Sequence, residues 1–250
     1  MANTEIEDVR SVLEAIKAQA ADRAIQYVDK HFVQHYPYTA DGVEGLKQYI
    51  EGSTPEQLNL TVVRAFQDGP YVVTQLKAHS SSEDMFAVYR FQDGLIAEHW
   101  AFSAPGAPPN KSGHTQLDGP TEAKHLEDTE NNKSFLRNYY ETFHLSGDHG
   151  QNERFFTGDL MIRHEPGVRD GVGEFLRDVE MLMQHRTIDE IKLLLGHGDL
   201  VFVAAEGTYE GDPCAYIDLY RVENLRVVEH WGFPQMVPPQ SEWKNTNGML

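Results

Sequence analysis

The chain has 250 residues, 40% hydrophobic and 24% charged, a composition that suits a globular protein with two cores of ordinary domain size. Its formal charge of −18 repels phosphate backbones and anionic lipid, and no basic patch in the sequence offsets it, so nucleic-acid and membrane partners are not expected. Cys214 is the only cysteine, which rules out an intrachain disulfide and a cysteine-framed zinc site.

Residues 1–10 are acidic and lack the apolar core of a leader, and no apolar run approaches a membrane span, so the expected location is cytoplasmic. Behind Thr4, a capping residue, Ile6, Val9, Val12, Leu13 and Ile16 recur at helical spacing. A second short helix is predicted through Ala24, Ile25 and Val28, then an extended piece ending at His35. A third helix runs through Val43, Leu46, Tyr49 and Ile50. The period then changes to two, and 58–66, 71–78, 85–91 and 95–102 read as strands with Asp68-Gly69 and Asp93-Gly94 as hairpin turns. Residues 103–128, rich in Pro, Gly, Ser and Thr, read as an arm plus a linker. Phe135, Leu136, Tyr139, Tyr140 and Phe143 then open a second helical series. It leads to an extended piece at His164, a helix through Phe175, Leu176, Val179 and Leu182, and strands at 188–195, 200–208, 214–222 and 226–233.

The second series repeats the first. Glu98-His99-Trp100 recurs as Glu229-His230-Trp231, 131 residues on, and Tyr89-Arg90 as Tyr220-Arg221. His35 and Asp41-Gly42-Val43 match His164 and Asp170-Gly171-Val172, and Asn110 to Gly113 resembles Asn245 to Gly248. A register this constant indicates duplication, and two long repeats make tandem domains rather than a solenoid. The expected domains are 1–110 and 130–250, joined by a linker at 111–129. Each is an α+β unit of three helices packed on a curved antiparallel sheet.

Histidine suits a general base at neutral pH, and an arginine beside it can hold an oxyanion. A two-residue turn at Asp93-Gly94 puts Arg90 opposite Ala97, diagonal to His99 on one face, and the same counting places Arg221 beside His230. The alternative is that both arginines pair with carboxylates and both imidazoles are satisfied core groups. Glu98, Trp100 and Tyr89 fall on the other face, as do Glu229, Trp231 and Tyr220; there Asp218 and Glu229 form a carboxylate pair able to raise one pKa. The first-repeat counterpart of Asp218 is Ala87. His35 and His164 lie on apolar faces, where a histidine is more often a hydrogen-bonded core group. Glu206 follows Leu200, Phe202 and Ala204 on one face and is a further candidate acid. No metal site is expected, because the histidines lack ligand spacing on a predicted helix.

The run from His164-Glu165-Pro166 through Gly198-Asp199-Leu200-Val201, Asp218-Leu219-Tyr220-Arg221 and Val228-Glu229-His230-Trp231 to Asn245-Thr246-Asn247-Gly248 resembles the SnoaL-like proteins. These are polyketide-cyclase relatives within the nuclear transport factor 2 superfamily. The first repeat is similar through His35, Pro37, Asp41-Gly42, Arg90 and Glu98-His99-Trp100. The resemblance implies cone-shaped α+β barrels with a cavity in the open end, and an intrachain pseudo-dimer that could associate further. It also implies ring closure by aldol condensation with no metal or organic cofactor, using a cavity carboxylate. In the family pattern an Asp commonly follows the His-Trp pair, whereas this chain has Ala101 and Gly232.

Two readings follow. In one, the second repeat performs cofactor-free acid/base chemistry on a small apolar carbonyl compound, as a cyclase, isomerase or lyase. His230 is then the base, Arg221 the oxyanion holder and Glu206 or Asp218 the second acid. His164, Glu229 and Trp231 would line the pocket, as His35, Arg90, Glu98, His99 and Trp100 would in the first repeat. In the other, the chain is a non-catalytic ligand-binding or assembly module that has lost the family's Asp.

Overall fold

The computed structural model describes residues 4–80 and 84–250; residues 1–3 of the segment read for a leader lie outside them. The chain forms two compact units, one of residues up to Gly106 together with Pro238–Leu250, the other Ala107–Val237.

In the first unit, α1 (Glu5–Lys17) begins at Thr4, whose hydroxyl accepts the Glu7 N–H, and the acids Glu5, Glu7 and Asp8 complement the helix dipole. Its stripe of Val9, Val12, Leu13 and Ile16 is buried. The second helix is shorter than predicted: α2 (Ala21–Ala24) tightens into a 3-10 turn, and Val28 already starts β1 (Val28–Gln34). After α3 (Gly42–Gly52) come β2 (Leu60–Asp68), β3 (Tyr71–Ala78), β4 (Asp84–Gln92) and β5 (Leu95–Ala104). The strands lie in the order β1-β5-β4-β3-β2. The meander is antiparallel as expected, and β1 adds to its edge parallel to β5. At the β4–β5 hairpin Asp93 and Gly94 both take positive φ, 52° and 77°, as a type I′ turn requires. The helices pack on the face carrying Val72, Leu76, Ala87, Tyr89 and Ile96. On the opposite face Val73, Val88 and Trp100 stand in one row across the ladder and are also buried.

The second unit repeats this plan. Helix α4 (Thr129–Tyr139) widens into a π turn over Tyr140–Leu145, and a 3-10 segment, His149–Arg154, leads to β6 (Ile162–Arg163). Then come α5 (Val172–Leu182), β7 (Arg186–His197), β8 (Leu200–Tyr209), β9 (Asp212–Val222) and β10 (Val227–Met236). The strand order is β6-β10-β9-β8-β7, again with the short strand parallel to the last. No helix among the described residues is long and apolar enough to cross a membrane.

The boundaries expected at 110 and 130 need correction, because the segment read as a linker is structural. Its polar backbone finds partners within the second unit: the Lys111 N–H donates to Val168 O at 3.0 Å, and Lys124 and Asp199 exchange two bonds of 2.6 and 2.8 Å. Conversely, the arm after Val237 belongs to the first unit. The Asn245 amide donates to Tyr36 O and Thr39 O at 2.9 and 3.0 Å, and the Asn247 amide to Gln34 O at 3.0 Å. Asn110 plays the matching part in the second unit, donating to Arg163 O at 2.7 Å. Each unit is therefore completed by the arm that follows the other unit's last strand in sequence.

Candidate functional site

One irregularity decides which side chains meet. Between the turn and the His-Trp pair each final strand carries a bulge, so Arg90 faces Glu98 rather than Ala97, and Arg221 faces Glu229 rather than Val228. A single extra residue moves every later side chain to the other face relative to its partner strand. Tyr89 consequently faces His99 and Tyr220 faces His230, their rings 4.7 and 4.5 Å apart, on the helix-packed side. Arg90 and Arg221 lie on the other side, so neither stands beside its histidine as the turn alone predicted.

On that other side the two repeats build the same cluster. His35 Nε2 meets Glu98 Oε1 at 2.8 Å, Arg90 Nε donates to Glu98 Oε2 at 2.7 Å, and the His35 ring stacks on Trp100 at 4.6 Å. His164, Glu229, Arg221 and Trp231 repeat this with 2.8 Å, 2.6 Å and 4.5 Å. Burial opposes the charge of Glu229, but its bonds to His164 and Arg221 win and hold its pKa below the usual range. The remaining ring nitrogens touch the arms: His35 Nδ1 meets Gly248 O at 3.0 Å, and His164 Nδ1 meets Thr115 O at 2.9 Å. These residues fasten each arm to its sheet. His35 and His164 do not line a cone, and Arg90 and Arg221 are committed to carboxylates.

Inside the second cone, His230 bridges two acids, with Nδ1 2.9 Å from Glu165 and Nε2 2.7 Å from Asp218. Burial alone would make this imidazole neutral, yet the charges and hydrogen bonds of Glu165 and Asp218 overturn that and raise its pKa to about 9. Burial likewise works against the Glu165 charge, and His230 and Arg163 reverse it, leaving a pKa of about 2. Asp218 also accepts the Tyr140 hydroxyl at 2.6 Å, and Arg163 closes the network through Glu165 and Asp178. His230 is thus an imidazolium that donates from both nitrogens, not the neutral base expected at pH 7. The expected Asp218–Glu229 pair is separated by the bulge, which leaves Asp218 with His230. Glu206 lies past the buried stretch of β8, half exposed and 3.2 Å from Lys192 Nζ, so it is no cone acid. A Cβ at Gly232 would lie 2.3 Å from Asp218 Oδ1, so the Asp218 carboxylate already occupies the space of a side chain there. The rest of the cone is filled by Tyr139, Tyr140, Phe143, Phe155 and Phe175, all buried and in ring contact.

The first cone differs at each matching place. Val12, Leu13 and Ile16 stand at the i, i+1, i+4 positions that Tyr139, Tyr140 and Phe143 take in the second, and these smaller side chains leave a cavity of about 100 Å³. Its wall also includes Phe32, Gln34, Tyr49, Ala87, Tyr89, His99 and Ala101. Gln34 replaces Arg163 and Ala87 replaces Asp218, so the charged network is absent here. The Tyr36 N–H donates to Gln34 Oε1 at 2.9 Å, so the Gln34 atom facing His99 Nδ1 at 3.0 Å is an acceptor. Nδ1 must therefore carry the proton, leaving a bare lone pair on Nε2. Burial, aided by the nearby His35, lowers the His99 pKa to about 3, so the ring stays neutral.

Sequence reasoning ranked His99 below His230 and missed Gln34 and Tyr49 on the cavity wall and Arg163 and Glu165 around His230. The available signal was the pair of exchanges Gln34/Arg163 and Ala87/Asp218 at matching repeat positions, which separates a neutral site from a charged one.

Residues 9–99 match the model of the SnoaL-like domain family. The match falls on the first unit, whereas the sequence motifs placed the fuller resemblance in the second. No curated protein matches the chain. Solved structures similar in fold include an NTF2-like protein of unknown function from Cytophaga hutchinsonii, at 16% identity and TM-score 0.37, covering 42% of this chain and 94% of that one. A candidate ketosteroid isomerase from Kribbella flavida gives 17%, 0.40, 45% and 84% in the same order. IdmH, a candidate polyketide cyclase from Streptomyces antibioticus, gives 19%, 0.36, 42% and 91%. With its matched model, its three helices on a five-stranded sheet and its apolar cone, the first unit is a SnoaL-like domain, and the second repeats its architecture.

Proposed function

We propose that this chain is a small-molecule-binding protein in which the first unit receives the ligand and the second is a filled, structural copy. The observation that carries this reading is the contrast between the two cones. One is apolar and open, with a neutral histidine on its wall; the other is closed by aromatics and a carboxylate–imidazolium–carboxylate chain. The ligand is compact and mainly apolar, with a hydroxyl or enol to donate to His99 Nε2 and a carbonyl to accept from the Gln34 amide or the Tyr49 phenol. Among the described residues no carboxylate lines this cavity, and a base with a pKa of about 3 gives little drive to proton abstraction. Binding is therefore favoured over cofactor-free acid/base catalysis.

Cyclohexanol and cyclohexanone serve as probes, with nitrogen NMR following His99. Saturable binding should shift the Nε2 resonance and be lost in Leu13→Phe, which fills the first cone as Tyr140 fills the second. Binding that survives Leu13→Phe overturns the site. Accelerated α-proton exchange of cyclohexanone in heavy water, abolished by His99→Gln, would instead establish the enzyme reading.

A further inference from the structure

The arm that crosses the second unit brings a second histidine and an acid up to His164. His114, Asp118 and His164 each place one potential ligand atom within 4.8 Å of the others. His164 Nδ1 and Asp118 Oδ1 are 2.6 Å apart, and the rings of His114 and His164 are 5.3 Å apart.

The site is held from outside. His164 is bound through Nε2 to Glu229, which Arg221 fixes in turn, and His114 Nε2 meets Asp170 Oδ2 at 3.0 Å. For His164, whose Nδ1 faces Asp118, a carboxylate on the far nitrogen is the arrangement that orients an imidazole and raises its basicity toward a metal. Asp118 is anchored through Oδ2, which accepts the Thr115 N–H at 3.1 Å, while Oδ1 is the oxygen beside His164. Its backbone oxygen accepts the Trp231 indole N–H at 2.9 Å. Gly119, at φ 89°, then passes so close that a Cβ would lie 2.7 Å from Trp231 and 2.8 Å from Glu229.

The duplication supplies an internal control. His35 has the same glutamate, arginine and tryptophan, and its Nδ1 meets the Gly248 carbonyl as His164 Nδ1 meets the Thr115 carbonyl, with no further imidazole or carboxylate beside it among the described residues. Seating an arm on the sheet thus needs no extra ligands, and the second unit has added an imidazole and a carboxylate at that nitrogen. We propose that His114, Asp118 and His164 form a site for a first-row divalent cation of the zinc type, which fastens the arm to the second unit. Two nitrogens and one oxygen suit such an ion better than calcium or magnesium. Tetrahedral coordination asks the Nδ1–Oδ1 gap to open to roughly 3.3 Å, a small swing for the half-exposed Asp118. The proposal is independent of the cavity in the first unit.

The test uses the full chain, stripped with chelator and titrated with Co²⁺ and then Zn²⁺. One Co²⁺ per chain should bind with the intense visible bands of a low-coordinate site and be displaced by Zn²⁺. His114→Ala and the isosteric Asp118→Asn should each weaken binding more than about tenfold. His125→Ala, in the exposed group of His125, Glu127 and Asp128, should leave binding unchanged. Zn²⁺ should also slow hydrogen exchange at 110–120 in the wild type and not in His114→Ala. Absence of the bands, binding indifferent to both variants, or binding lost in His125→Ala overturns the proposal. Near-UV circular dichroism confirms that each variant is folded, and Asp118→Asn keeps the test decisive if His114→Ala does not fold.

Discussion

His99 and His230 stand at one position of the repeat, each against a tyrosine, and differ in charge because of what faces them. Gln34 offers His99 only a neutral acceptor, so burial prevails and the pKa falls to about 3. Glu165 and Asp218 offer His230 two anions, which outweigh burial and raise the pKa to about 9. Proton NMR of the imidazole carbons should show no titration of His99 down to pH 4 and a His230 midpoint near pH 9; a midpoint for either near 6.5 refutes the assignment. Replacing His230 by Ala leaves the partly buried Asp218 without its cation and Glu165 with Arg163 alone, and should cost about 3–5 kcal/mol in denaturant unfolding.

At the scale of elements, the bulges in β5 and β10 and the close approaches of the arms set the geometry. Gly232 lies opposite Asp218, and a methyl there meets the carboxylate at 2.3 Å. Gly232→Ala should destabilise the second unit by about 1–3 kcal/mol, the usual cost of overpacking, and shift the His230 titration, because Asp218 must move. Restoring the family's Asp at this position is therefore expected to disrupt the network rather than create a catalyst. Gly119→Ala should loosen the first arm: limited proteolysis should cut within 107–128 faster than in the wild type while the β7–β10 sheet stays protected. Equal cleavage rates would show that the arm tolerates the side chain.

Across the whole molecule, the two units should respond to pH in opposite directions. A histidine with a depressed folded pKa contributes stability above its unfolded value of 6.5 and loses it as pH falls toward 3, so His99 makes the first unit sensitive to acid. His230, with a raised folded pKa, contributes fully below 6.5 and loses its contribution as pH rises through about 9. Glu165, depressed to about 2 from 4.5, adds an acid limit to the second unit below about pH 4.5. Hydrogen exchange followed by mass spectrometry should show the first unit opening first at pH 4.5–5.5 and the second first at pH 8–9. Ending the chain after Val237 should selectively raise exchange in β1 and β5, since the removed residues hold Gln34, His35, Tyr36 and Thr39. Uniform loosening of both units would contradict the exchanged-arm arrangement.

The helix and strand periods and the α+β class of two units were legible in the chain because they depend on local spacing, which burial of one face imposes on any sequence that folds this way. Thr4, Asp93-Gly94 and the recurring Glu-His-Trp needed no tertiary information to place. The bulges were not legible, since Ala97 and Val228 fit a regular strand as well as a bulged one, and one unpaired residue moved Arg90, Arg221 and Asp218 to other partners. The destination of the arms was equally hidden, because the hydrogen bonds of Asn110 and Asn245 join residues more than 50 and 200 positions apart. Which cone stays open, and which histidine carries charge, was decided by side-chain volume and by the acids that folding brings around each ring.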